Sequence, residues 1–286
     1  MKPEPRTALD YDSRAKSAVK IVLIELGQVL GDYLNCLVIV GGAVPWLLLP
    51  DAEVPHVGTV DVDLALNPKK LQQDGRYAAM IQLLERSGFE RGADDLGTFQ
   101  MRRRVLVDGG EPVLVTLDLL KPDKPKTKKN NPPLIPDLRV QDIPGAEFAF
   151  TKPLELTLGG VMPDGRNNTV TLPVANLPAF LVMKGFALVK RDKPKDAYDI
   201  YYVIKHFPAG IKTLAEECRS LLEHPRARAG FGGIAQKFAA FEGYGAQTVR
   251  DFLRDTLTSP EEIAFVERDA FEQVSAFIAA LGLIEE

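Results

Sequence analysis

The chain has 286 residues, of which 45% are hydrophobic and 26% are charged, and its formal net charge at pH 7 is −4. These values are ordinary for a globular protein and allow one large or two modest domains. They exclude a globally basic nucleic-acid-binding chain, so any contact with nucleic acid needs a local basic patch. The polar first residues and the lack of an apolar run of 18 residues predict a cytoplasmic protein with no membrane partner.

The first predicted elements are a helix and a buried strand. Residues 12–33 show helical apolar spacing. The β-branched run 37–40 follows as a strand and ends in Gly41-Gly42, which leads into a short apolar segment. Glycine permits a tight turn, and a helix that begins there points free N–H groups towards an anion. Gly41 and Gly42 are therefore candidate phosphate-binding residues.

A second predicted strand, residues 59–66, carries two carboxylates. Side chains alternate between the two faces of a strand, so Asp61 and Asp63 share one face, about 6–7 Å apart. Two carboxylates at that distance repel each other unless a cation lies between them. Hard oxygen ligands select Mg²⁺ or Mn²⁺, which commonly accompany a substrate phosphate. Asp61 and Asp63 are therefore candidate metal ligands.

A third carboxylate follows in a predicted hairpin. Residues 68–87 predict an amphipathic helix, and residues 99–107 and 112–120 predict two strands joined at a turn. Asp118 lies in the second strand, which is otherwise apolar, and a buried carboxylate there needs a partner. If this strand pairs beside that of Asp61 and Asp63, Asp118 completes a cluster able to hold two metals. An ordinary strand-end aspartate is the alternative.

The next segment, residues 121–137, is rich in Lys, Pro and Asn and predicts a mobile loop. Some of its lysines are candidates for contact with a nucleic-acid backbone, with a solvated loop as the alternative; they are Lys124, Lys126, Lys128 and Lys129. Residues 147–174 predict short strands around Asp164-Gly165, which is a hairpin signal.

From residue 176 onwards the pattern becomes helical. Helices are predicted over residues 179–190 and 195–207 and around 210–223, 231–240, 245–257 and 260–282. Lys184 has apolar neighbours and needs an anion if it is buried, and Asp196 and Asp199 share one helix face. A substrate triphosphate or a structural ion pair with either carboxylate would satisfy Lys184, and the sequence leaves both open. The histidines His56, His206 and His224 show no metal-binding or catalytic spacing.

These motifs, in this order, resemble a known family. A strand, Gly-Gly, a helix and a T-x-D-x-D strand form the pattern of polymerase-β-like nucleotidyltransferases. More specifically, the chain resembles the AbiEii-type nucleotidyltransferase toxins of type IV toxin–antitoxin systems and the related MenT-like toxins. The resemblance covers roughly residues 37–205 and is carried by Gly41, Gly42, Thr59, Asp61, Asp63, Asp118, Lys184 and the run 195–199 (KDAYD).

The resemblance implies an α+β fold. A polymerase-β-like nucleotidyltransferase domain, a mixed sheet with covering helices, is expected over residues 1–175, and a helical C-terminal bundle over residues 176–286. The implied reaction is the Mg²⁺- or Mn²⁺-dependent transfer of NMP from an NTP donor to an acceptor such as tRNA or another RNA. A cognate antitoxin is an implied partner. The implied catalytic residues are Asp61, Asp63, Asp118, Lys184 and Asp199. The implied nucleotide-binding residues are Gly41, Gly42, Thr59, Lys184 and Asp196, and the implied metal ligands are the aspartates at 61, 63 and 118.

Two positions depart from the family pattern. Ala43 stands where a Ser or Thr usually follows the second glycine, and Val57 stands where an Arg is common. Both changes are expected to weaken binding of the donor phosphates, and they leave the predicted metal ligands intact. The alternatives are a nucleotidyltransferase-like nucleotide-binding protein with weak or no turnover, and a nucleotidyltransferase that acts on a small molecule.

Overall fold

The computed structural model describes residues 5–71, 76–107, 110–123 and 139–283. The chain forms two compact units. The first comprises Asp12–Val44 and Gly58–Asn176, and the second comprises Lys2–Tyr11, Pro45–Val57 and Leu177–Glu286. The domain boundary at residues 175 and 176 stays a prediction. Two described segments that precede it, 5–11 and 45–57, group with the helices of the second unit.

Within the described residues, the first unit is built on a mixed sheet of eight strands. The strands are β1 Leu37–Val40, β2 Asp61–Leu66, β3 Phe89–Glu90, β4 Gln100–Val105, β5 Val113–Pro122, β6 Gln141–Ile143, β7 Leu154–Val161 and β8 Asn167–Val174. Their order across the sheet is β3-β4-β5-β2-β1-β8-β7, and β6 pairs with β5. The strand whose residues are all buried, β1, therefore lies near the middle of the sheet, between β2 and β8.

The central pairings bring the acidic strands together. β2 is antiparallel to β1 on one side and parallel to β5 on the other. β5 is in turn antiparallel to β4, which confirms the predicted hairpin. The pairing of the Asp118 strand beside the strand of Asp61 and Asp63 is also confirmed.

Short helices and one long helix complete the first unit. They are α1 Ser13–Val29, α2 Ala43–Leu48, which continues into the second unit, α3 Pro68–Leu71, α4 Arg76–Arg86 and α5 Ala146–Ala149. The α1 helix packs on the face of the sheet that carries Arg103, where Glu25 accepts two hydrogen bonds from Arg103 at 2.8 and 2.9 Å. The predicted helix over 68–87 is present as α3 and α4, with residues 72–75 outside the described residues. The four lysines of the predicted loop also lie outside them.

The second unit is helical in its described residues. Its helices are α6 Leu177–Lys190, α7 Pro194–His206, α8 Gly210–Arg219, α9 Pro225–Lys237, α10 Tyr244–Leu253 and α11 Pro260–Leu281. The α9 helix begins earlier than the predicted residue 231, because Pro225 suits a first turn and His224 accepts a hydrogen bond from Arg226 N at 3.2 Å. The predicted α+β class with C-terminal helices is confirmed. No helix in the described ranges is long and apolar enough to cross a membrane.

The α6 and α9 helices meet backbone to backbone through two glycines. A Cβ placed on Gly185 would lie 1.9 Å from the carbonyl oxygen of Gly230. A Cβ placed on Gly230 would lie 2.6 Å from the carbonyl oxygen of Val182. These distances leave no room for a side chain, so only glycine allows this crossing.

Candidate active site

The three predicted metal ligands lie on one face of the sheet in the first unit. Asp63 on β2 and Asp118 on β5 are register partners, and Asp61 is two residues before Asp63 on the same strand. All three are half-buried, whereas Val62 and Leu117, which point to the opposite face, are fully buried. Because alternate residues share a face and neighbouring strands lie about 4.8 Å apart, the three carboxylates occupy a common accessible surface.

The donor chemistry of this acidic face suits a hard divalent cation, since carboxylate oxygens are the ligands that Mg²⁺ and Mn²⁺ prefer. In the described part of the chain, no three His, Cys, Asp or Glu side chains are gathered closely enough to form a metal site ready-made. The three aspartates fit a metal by the type of their side chains and by strand register alone, and the assignment of Asp61, Asp63 and Asp118 as metal ligands stays a prediction.

The predicted glycine turn lies directly against Asp63. Gly41 has a φ of +69°, a left-handed conformation that L side chains rarely adopt. A Cβ at this position would lie 1.9 Å from Oδ2 of Asp63, so the absence of a side chain makes room for that carboxylate. Val44 N donates a hydrogen bond to the Gly41 carbonyl at 3.1 Å and closes the turn. Thr59 is buried, and its Oγ1 accepts a hydrogen bond from Asp61 N at 3.4 Å.

Lys184, Asp196 and Asp199 come together between α6 and α7 in the second unit. The Lys184 Nζ lies 2.6 Å from Asp196 Oδ1 and 2.7 Å from Asp199 Oδ2. The exposed fractions of the three side chains are 8%, 0% and 0%. Lys184 therefore forms ion pairs with both of the carboxylates that the sequence offers as partners.

Three further residues, not predicted as site residues, contact the same two carboxylates. Lys195 Nζ lies 2.6 Å from Asp199 Oδ1, and His56 Nε2 lies 2.9 Å from the same oxygen. Arg191 Nε lies 2.7 Å from Asp196 Oδ2. The contact between Lys195 and Asp199 could have been predicted from the sequence, because residues at i and i+4 are neighbours on a helix surface. We call the six residues His56, Lys184, Arg191, Lys195, Asp196 and Asp199 the charge cluster.

Burial and ion pairing oppose each other in the charge cluster. Burial raises the pKa of Asp199, but Lys184 and Lys195 outweigh it and hold that pKa well below its usual value. Burial lowers the pKa of Lys195 to about 8, against the attraction of Asp199. Burial, helped by the nearby charge of Lys195, lowers the pKa of His56 to about 4. His56 is therefore neutral at pH 7, and its Nε2–H donates to the ionised Asp199.

The segment that contains His56 is held by aromatic residues of α7. The Tyr202 hydroxyl donates to the Val54 carbonyl at 2.7 Å, and the Tyr198 hydroxyl accepts from Val57 N at 3.4 Å. The His56 ring stacks on Tyr198 with 5.3 Å between ring centroids. At Val57, where an Arg is common in the resembling family, the backbone thus takes part in a neutral hydrogen bond.

Comparison with known proteins adds two findings. The family model described as nucleotidyl transferase AbiEii toxin, type IV TA system, matches residues 53–277, a range that begins after Gly42 and includes the predicted residues from Thr59 to Asp199. The chain is also similar to the crystal structure of an antigenic nucleotidyltransferase-like protein from Paracoccidioides brasiliensis. That similarity has 21% identity and a TM-score of 0.43, and it covers 77% of this chain and 88% of the other. No curated protein matches this chain.

Proposed function

The chain belongs to the AbiEii family of nucleotidyltransferase toxins from type IV toxin–antitoxin systems, and on this basis we propose that it transfers NMP from an NTP to an acceptor in a metal-dependent reaction. Family membership supports nucleotidyl transfer in general. The observation that carries the finer proposal is the register of Asp63 with Asp118, with Asp61 on the same accessible face. Carboxylates carried side by side on adjacent central strands supply the hard oxygen ligands that Mg²⁺ and Mn²⁺ prefer, which supports a metal-dependent reaction.

We assign the metal to the acidic face. Asp61 and Asp63 would contribute to two Mg²⁺ or Mn²⁺ ions, and Asp118 would contribute to one and orient the acceptor hydroxyl. When bound, the ions supply neutralisation of the charge that develops on the α-phosphate and on the leaving pyrophosphate. The residues themselves hold and orient the reacting groups, which is the main contribution of a protein to phosphoryl-type transfer.

We assign the triphosphate to backbone and cationic groups. The Gly41-Gly42 turn would offer backbone N–H groups to the donor phosphates, and Thr59 would support the strand that carries the acids. Lys184 would neutralise triphosphate charge. An ammonium has three N–H donors, and the contacts with Asp196 and Asp199 use two of them, so those carboxylates would position Lys184 while leaving one donor for a phosphate.

The proposed reaction is an in-line displacement. The acceptor hydroxyl oxygen forms a bond to the α-phosphorus, and the bond from that phosphorus to the bridging oxygen breaks. Pyrophosphate leaves with the bonding electrons, and the hydroxyl proton passes to solvent. Resemblance to the MenT-like toxins supports tRNA or another RNA as the acceptor. Membership of a type IV family supports a cognate antitoxin and a cytoplasmic site of action.

The experiment that tests this proposal is incubation of the purified protein with Mg²⁺, each labelled NTP in turn and total tRNA. We expect label in RNA with one preferred NTP, and loss of that label in Asp61→Ala with the fold retained. Label in RNA at an undiminished rate with Asp61→Ala would contradict the assignment. If label appears only in an added small molecule, such as an aminoglycoside, the acceptor is a small molecule and not RNA. Saturable NTP binding without any transfer would point to a binding protein.

A further inference from the structure

We propose that Gln100 is a positioning residue that orients the carboxylate of Asp118, an inference that rests on the proposed function of the acidic face. Gln100 is on β4, the strand next to β5, and it is the register partner of Asp118. Asp63, Asp118 and Gln100 therefore form one row across three adjacent strands. Since directly paired residues share a face, Gln100 borders the acidic face at the end of that row.

The side chain of Gln100 contacts Asp118 directly. Its Nε2 donates to Asp118 Oδ1 at 2.8 Å, a normal length for such a hydrogen bond. The contact joins residues 18 positions apart and is partly buried, so water competes with it less than at an exposed site. One carboxylate oxygen of Asp118 is thereby held, which restricts how the group can rotate.

The orientation of the Gln100 amide is determined by a second contact. Its Oε1 accepts a hydrogen bond from Gly97 N at 2.8 Å, and Gln100 N donates to the Gly97 carbonyl at 2.9 Å. A backbone N–H can only donate, so the atom facing Gly97 must be the amide oxygen. The amide nitrogen must then face Asp118. The amide oxygen of Gln100 is thus held by Gly97, and the amide nitrogen points to the Asp118 carboxylate.

Gln100 is uncharged, so it does not compete with a metal cation for the Asp118 carboxylate. A lysine or arginine in its place would form an ion pair with Asp118 and compete with a metal cation for the carboxylate. The cation in the next row of the same face, Arg102, is engaged elsewhere: its Nη1 lies 3.0 Å from Asp95 Oδ2 and its Nη2 lies 3.5 Å from Glu90 Oε2. A neutral hydrogen-bond donor orients the Asp118 carboxylate without neutralising its negative charge. Residues that hydrogen-bond to metal ligands commonly act in this way.

The first test measures the contact itself, without metal or substrate. Thermal unfolding midpoints are recorded in EDTA for the wild type, Gln100→Met, Asp118→Ala and the double variant. If the two side chains interact, the double variant loses less than the sum of the single losses, because the contact is removed once and not twice. Strictly additive losses would overturn the inference, whatever the activity of the protein.

The second test measures what the contact does. Free Mn²⁺ is followed by electron paramagnetic resonance in titrations of the wild type and Gln100→Met. We expect Gln100→Met to weaken Mn²⁺ affinity about tenfold, since loss of a ligand's partner typically costs 10–100-fold. The matched control is Gln273→Met on α11, where the Gln273 Nε2 donates to Asp269 Oδ1 at 3.0 Å in a comparable contact. This control should leave Mn²⁺ affinity unchanged.

The outcomes separate this inference from the proposed function. Non-additive unfolding together with weaker Mn²⁺ binding in Gln100→Met supports the positioning role. Mn²⁺ binding by Gln100→Met equal to that of the wild type overturns it while the proposed function stands. A wild type that binds no Mn²⁺ overturns the proposed metal site, and the positioning role with it, even if the unfolding cycle shows that the contact exists.

Discussion

Asp63 and Asp118 lie side by side on two parallel strands, and the Cα partner of Asp63 on the other side is Val40, the last residue of β1. The acidic face thus lies on the central strands β2 and β5, next to the turn at Gly41 that follows β1. Central strands are the least mobile part of a sheet, because they are paired on both sides. This placement favours a site whose geometry is held by the backbone.

Asp63→Asn should abolish most nucleotidyl transfer while the protein stays folded. The change keeps the shape of the side chain and removes one negative charge from the acidic face. We expect a loss of about 10²–10³ in rate, the size typical of removing one preorganised electrostatic group. Initial rates of label transfer measure it. Glu155→Gln, which neutralises an exposed carboxylate on β7, should leave the rate unchanged, and an equal loss in both variants would contradict the assignment.

Gly41→Ala should damage both the stability and the activity of the protein. The new Cβ is strained at a φ of +69°, which costs about 1–2 kcal/mol, and it collides with the Asp63 carboxylate. Gly165→Ala is a matched control, because Gly165 has a φ of +83° but nothing within 4 Å of a new Cβ. Both variants should lower the unfolding midpoint, and only Gly41→Ala should lose transfer. Full activity in Gly41→Ala would show that the position of Asp63 is not critical.

Lys184→Met should destabilise the second unit strongly. It leaves Asp196 and Asp199 buried with fewer cationic partners, and removing one member of a buried ion pair costs about 3–5 kcal/mol. Chemical denaturation measures the free energy of unfolding. Lys212→Met, the same change at an exposed position of α8, should alter stability by no more than about 0.5 kcal/mol. If Lys184→Met lowers the free energy of unfolding by no more than Lys212→Met does, the charge cluster contributes little to stability.

His56 should make the stability of the protein fall between pH 6.5 and about 4. The folded pKa of His56 lies below its ordinary value of 6.5, so the unfolded state takes up the proton first as the pH falls. The contribution is complete above pH 6.5 and is lost towards pH 4, by about 3 kcal/mol in total. Neighbouring Lys195 and Lys184 oppose protonation, and Asp199 favours it.

His56→Gln isolates this effect, because a glutamine amide can replace the Nε2–H donor to Asp199 and does not titrate. Free energies of unfolding of the two proteins should run parallel above pH 6.5. They should diverge below it, with the wild type losing more. Parallel curves down to pH 4 would mean that His56 does not resist protonation in the folded protein.

The arrangement of the acidic face could be predicted from the sequence because it depends on local rules. Alternation along a strand puts Asp61 and Asp63 on one face, and a short turn signal makes β4 and β5 neighbours. The placement of Asp118 then needed one assumption, that β5 pairs with β2, and that pairing is confirmed.

Gln100 and His56 could not be predicted in the same way. Gln100 follows a segment with no periodic pattern, and its contact with Asp118 depends on the register of two strands. His56 meets Asp199 across 143 positions of sequence, and a lone histidine carries no local signal for such a partner. For Lys184 the sequence indicated a need for an anion and not which one, because ion pairing in a folded unit depends on helix packing.

The contact between Gly185 and Gly230 has a consequence for reading genetic screens of this protein. Gly185 follows Lys184 directly on α6, so a side chain at either glycine would push the helix, and its lysine, away from α9. A screen that scores only loss of function would therefore rank both glycines with the residues proposed to bind metal or nucleotide, although neither glycine has a side chain that could do so. Measuring the abundance of each variant alongside its phenotype would tell the two groups apart.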